Sequence, residues 1–111
     1  ARIRKERAGR VVLMSASSCS HAFLTARNHG IYPDLEADQA LLSQLQAGDY
    51  AAWRDVPLEQ LEASGQHGVL NWMCLVGAMA ELGRKPTETD LVETYLFNSS
   101  KCFAFFPPAS R

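Results

Sequence analysis

The stretch Val11-Val12-Leu13-Met14-Ser15-Ala16-Ser17-Ser18-Cys19-Ser20-His21 decides how the rest of the chain is read. Its first part is continuously apolar rather than alternating, the pattern of a strand covered on both faces. Residues 11–16 are therefore expected to form a short buried strand. Its second part is small and polar. Small residues after a buried strand let backbone and ligand approach closely, and sites in α/β folds gather at the carboxyl ends of such strands. Helical and then strand-like patterns follow, an order that fits an α/β domain.

Outward from this stretch, residues 28–34 read as loop from Gly30 and Pro33. Asp34 is placed to cap a helix with Glu36 and Asp38 in its first turn, where acids are favourable. Leu35, Leu41, Leu42 and Leu45 give that helix an apolar stripe, and Gly48 ends it. Asp49 can cap a short turn over residues 50–54, and Pro57 opens residues 58–63, closed by Gly65. From Val69 to Leu82 only Asn71, Gly77 and Glu81 interrupt the apolar residues. Apolar surface all round predicts a helix buried on most sides, stopped by Gly83 and Pro86. Residues 91–97 and 101–106 lean to strand and are joined by Asn98-Ser99-Ser100, which predicts a hairpin.

Composition bounds the function. The 111 residues are 47% hydrophobic and 21% charged, with a formal net charge of −1, the profile of one folded domain. No apolar run approaches the ~18 residues of a membrane span, and the start does not resemble a secretory signal. Balanced charge argues against a nucleic-acid binder. The basic cluster Arg2, Arg4, Lys5, Arg7 and Arg10, relieved by Glu6, reads as a solvated lead-in. Cys19, Cys74 and Cys102 are odd in number and without metal-like spacing, which favours a reducing, cytoplasmic setting over a disulfide framework. The chain begins without Met on a charged stretch that enters the expected strand at once. It reads as a processed product or the later portion of a larger domain.

Few residues carry chemistry. His21, in a Ser-rich turn after the expected strand, is either a general acid/base or metal ligand, or a loop histidine satisfied locally. His29 and His67 each precede a glycine, and their separations from His21 match no compact ligand spacing. Cys19 and His21 lie at i and i+2, which in a strand places both on one side, as a nucleophile pair would need. Cys74 and Cys102 read as small core hydrophobes, and Trp72 and Met73 as packing. Glu59, Glu62 and Glu81 read as solvated.

In succession these pieces resemble the LigB-like class III extradiol ring-cleavage dioxygenases. The apolar run ending in Ser20-His21 resembles that family's strand and small-residue turn. It is followed in the family's order by Asp34-Leu35-Glu36-Ala37-Asp38, Gly48-Asp49-Tyr50, residues 58–65, His67-Gly68, Asn71-Trp72 and Gly77-Ala78. The resemblance spans residues 10–82 and corresponds to the C-terminal portion of the family's catalytic domain. It implies a partial three-layer α/β domain, with buried strand, helices and a C-terminal β-hairpin.

It also implies opening of catechol-type aromatic rings with O₂ at a non-haem Fe(II) held by two histidines and a carboxylate. His21 falls on the family's acid/base histidine, which takes a catechol proton and later returns it. Ser20 and the small turn before it would shape the substrate side. No metal ligand is assigned to this chain. The family's metal-binding histidines have no counterpart here, and the place of its ligand carboxylate is held by Gly68 beside His67. Two readings follow. Either the chain is a part or subunit of an extradiol dioxygenase whose partner chain supplies the iron ligands, or it is a non-catalytic relative kept for binding or assembly. An incomplete sheet and an apolar helix would expose surface, so a partner chain or self-association is expected.

Overall fold

The helices begin and end where local chemistry dictates. The computed structural model describes Glu6 and residues 9–108. Arg2, Arg4, Lys5 and Arg7 of the basic cluster lie outside the described residues. Helix α1 is Leu35–Ala47. The Asp34 carboxylate accepts the Ala37 N–H (3.2 Å), and Gly48 closes the helix in the left-handed conformation at φ 71°. Helix α2, Tyr50–Arg54, is capped by Asp49, which accepts the Ala52 N–H at 3.1 Å. Helix α3, Leu58–Ala63, follows Pro57, and helix α4 is Val69–Glu81. Strands β1, Glu88–Val92, and β2, Lys101–Phe105, form an antiparallel pair in which Glu88 faces Phe105 and Val92 faces Lys101.

Helices and a two-stranded antiparallel sheet make this a mixed α/β chain. The core lies among α1, α2, α3 and α4. Leu41, Leu45, Trp53, Leu61, Val69, Trp72, Leu75, Val76 and Met79 form one buried cluster, and Cys102, Ala104 and Phe106 pack against it from the hairpin side. The Trp53 and Trp72 rings lie 6.5 Å apart, and the Trp53 indole N–H is satisfied by the Leu41 carbonyl at 3.0 Å. Burying nine apolar side chains in one contiguous cluster supplies the main driving force for folding.

Three expectations are corrected. Residues 11–16 do not form a strand: Val12 and Met14 are 88% and 84% exposed. An apolar run becomes a buried strand only with strand neighbours, and among the described residues β1 and β2 pair only with each other. The segment is held to α4 further along, where the Ser15 hydroxyl donates to the Asn71 carbonyl (3.0 Å) and the Trp72 indole N–H to the Ser17 carbonyl (3.4 Å).

Helix α4 is buried on one side only. Val69, Trp72, Leu75, Val76 and Met79 face the core, while Leu70, Asn71, Cys74, Gly77 and Glu81 face outward. The three interruptions in its apolar run share that outer face, a helical spacing that marks the solvent side. Cys74 is therefore exposed rather than a core residue.

The hairpin is also shifted. Its first strand is Glu88–Val92, and residues 93–100 form a long connection. Asn98 and Ser99 are drawn away from a tight turn to pair with the His21 segment. No helix among the described residues is long and apolar enough to cross a membrane.

Candidate functional site

The site is built around a carboxylate inside the protein. Asp38 lies on the inner face of α1, between Leu35 and Leu41, and is buried. Its Oδ1 accepts the Ser20 backbone N–H (2.9 Å) and the Gln66 side-chain amide (2.8 Å), and its Oδ2 accepts the Ser20 hydroxyl (2.7 Å). Burial pushes the Asp38 carboxyl above its ordinary value, and the Gln66 and Ser20 hydrogen bonds oppose that rise. Ser20 is fully buried with both its donors committed to Asp38, so it anchors the turn and its hydroxyl points inward.

The anchored turn presents His21. The His21 N–H donates to the Gly65 carbonyl (3.0 Å), and the Ala22 N–H to the Asn98 carbonyl (2.7 Å). The residue bridges antiparallel to Ser99. Two glycines allow this close approach. A side chain at Gly65, where φ is +66°, would meet the His21 carbonyl oxygen at 2.7 Å, and one at Gly68 would meet the Ser18 carbonyl oxygen at 2.6 Å.

Both nitrogens of the half-buried His21 ring are engaged. The Phe23 N–H donates to Asn98 Oδ1 (3.4 Å), which turns the Asn98 amide nitrogen toward His21 Nδ1 at 3.0 Å. Nδ1 is then the acceptor, and Nε2 carries the proton and donates to the Ser18 hydroxyl. Protonating Nδ1 would set two donors against each other until the amide turned over. The His21 pKa is lowered, first by desolvation and then by the Lys101 ammonium and His67, with Asp38 opposing. The neutral imidazole is the favoured form, and the Phe23 ring stands edge-on to it at 5.3 Å.

The structure brings some of the sequence candidates together and separates others. His21 and Ser20 share the turn, and His67 is near enough to act on His21 electrostatically. His29 sits apart in a tight turn with φ 55°. Among the described residues no three His, Cys, Asp or Glu side chains converge as a metal site would need. Cys19 faces Cys102 across the interior rather than His21.

Sequence reading missed Asp38, Gln66, Asn98 and the cysteine pair. Asp38 left a signal, since an acid three residues from both Leu35 and Leu41 falls on the apolar stripe of its helix. Asn98 left none, because its contact with His21 is made across the fold.

No protein family, curated protein or solved structure matches this chain.

Proposed function

We propose that this chain is part of a ring-cleaving extradiol dioxygenase assembly in which His21 is the acid/base toward a catechol-type substrate. The observation that carries the reading is the neutral, half-buried imidazole held between Ser18 and Asn98 on a turn pinned to Asp38. A general acid/base needs a pKa near the working pH, as an imidazole has, and a fixed orientation. With the Asn98 amide turned over so that its oxygen faces Nδ1, the tautomer protonated at Nδ1 is favoured; Nε2 gives up its proton to solvent and Nδ1 takes one from it, leaving Nε2 an acceptor behind the Ser18 hydroxyl. A substrate hydroxyl placed at Ser18 then gives its proton to the Ser18 oxygen as the Ser18 proton passes to Nε2, and the same relay run backwards returns it.

The iron that the resemblance implies does not fit this chain's own residues. Gly68 offers no ligating atom, and its surroundings leave no room for one, since a Cβ there would also lie 2.8 Å from the Ser17 and Ser18 hydroxyl oxygens. The Fe(II) and O₂ chemistry in this reading belongs to a partner chain. A partner also accounts for the exposed Val12, Met14, Leu96 and Phe103. Strands from that partner beside residues 11–16 would complete a three-layer arrangement.

The same filled space at Gly68 favours a second reading, a non-catalytic relative that serves binding or assembly.

Oxygen uptake with a catechol, by the assembly purified from its native source, tests both. His21→Ala is expected to lower turnover at least ~100-fold, the usual scale for a general acid/base, with an unchanged circular dichroism spectrum. Unchanged turnover in that variant would remove His21 from the chemistry. An iron-loaded assembly with no ring-opening activity would leave the non-catalytic reading.

A further inference from the structure

We infer that Cys19 and Cys102 form a reversible disulfide, a redox latch between the His21 turn and β2. This inference does not depend on the proposed enzymatic role. Cys19 is buried and precedes Ser20, whose bonds to Asp38 fix the turn and hence the direction of the Cys19 side chain. Cys102 lies in β2 opposite Leu91, on the inward side that alternates with exposed Lys101 and Phe103. Both cysteines are free and line one small cavity with Asp38, Leu41, Trp53 and Trp72. The antiparallel bridge between His21 and Ser99 brings the two segments side by side, and the Cys19 and Cys102 thiols lie within hydrogen-bonding reach of each other.

The two thiols are unequal in a way that assigns their roles. Cys19 is the more deeply buried, and its thiol is pushed up by the hydrogen bond it gives Cys102 and by desolvation. The same hydrogen bond pulls Cys102 down. Cys102 is therefore the attacking thiolate and Cys19 the resolving thiol. With oxidised glutathione as oxidant, the Cys102 thiolate attacks one of its sulfurs, forming a mixed disulfide and expelling one glutathione thiolate. Cys19 then loses its proton to solvent and attacks the Cys102 sulfur, expelling the second. Two protein thiols are oxidised, and one glutathione disulfide is reduced to two thiols.

Exposed Cys74 provides an internal control. The full chain is incubated with oxidised glutathione under native conditions, desalted, alkylated after unfolding and analysed by intact mass and peptide mapping. The expected result is loss of two hydrogen atoms, with Cys19 and Cys102 recovered as one crosslinked peptide pair that dithiothreitol reverses. A Cys74→Ser variant is expected to form the same crosslink, and Cys102→Ala to lose it. Glutathione on Cys74 with Cys19 and Cys102 both alkylated as free thiols would overturn the inference. So would failure of the Cys74→Ser variant to crosslink, an outcome that stands whether or not Cys102→Ala folds.

Discussion

Residues 11–14 and residues 18–22 are near neighbours in the chain and opposites in burial. Val12 and Met14 are 88% and 84% exposed, whereas Ser20 is fully buried. Hydropathy alone predicts the reverse. The difference is one of partners. The serine turn has Asp38, Gly65 and Asn98 to receive its N–H and O–H groups, so burying it leaves few orphaned donors. Among the described residues the apolar run has no strand beside it, and Val12 and Met14 stay in water. Burial in this chain follows where hydrogen-bond partners and packing surfaces exist, and the turn that carries His21 is held by polar anchors rather than by its apolar neighbours.

The contrast breaks most sharply at Asp38. Replacing it with Ala strands the Ser20 N–H, the Ser20 hydroxyl and the Gln66 amide inside the protein. A loss of roughly 3–5 kcal/mol is expected in urea unfolding, the usual cost of breaking a buried polar network by removing one partner. A loss below about 1 kcal/mol would mean that the apolar contacts, and not the carboxylate, fix the turn. Gly65→Ala should come next. It imposes an L side chain at φ +66° against the His21 carbonyl, at a cost of about 1–3 kcal/mol. Retained stability with unshifted His21 NMR signals would show that the close approach is not needed. The smallest effect should fall on the apolar side, where Val12→Ser is expected to change stability by no more than ~0.5 kcal/mol. A larger loss in the isolated chain would show that residues 11–14 are already covered.

Much of the helical framework was legible because its signals are local. Asp34 and Asp49 cap as their positions suggest, and Gly48 and Gly83 take the left-handed conformation that ends a helix. The inner face of α4 could also have been read from the spacing of Asn71, Gly77 and Glu81. What local pattern could not supply was any contact across the fold. The strand expected at residues 11–16 depended on neighbours that the sequence pattern cannot reveal. The Asn98 contact with His21 and the pairing of Cys19 with Cys102 join distant segments and have no local signature. His21 was legible as a candidate from its place after a small-residue turn. Its neutral form was not, because that is set first by desolvation and then by the Lys101 ammonium, while the tautomer is set by Asn98, which the Phe23 N–H orients.

The central claim is that the fold holds His21 as a neutral, oriented imidazole. The most direct measurement is the pH titration of the His21 ring by NMR in the intact chain. Because its folded pKa is depressed, the folded state binds fewer protons than the unfolded one between that value and the free-histidine value. Stability should therefore fall as pH drops through that window, and His21→Gln should remove this part of the slope. The His21 midpoint is expected to lie below that of free histidine. A midpoint at the free-histidine value would mean that the site does not disfavour the cation, and one above it that Asn98 presents its oxygen to a protonated ring; either result contradicts a held neutral imidazole.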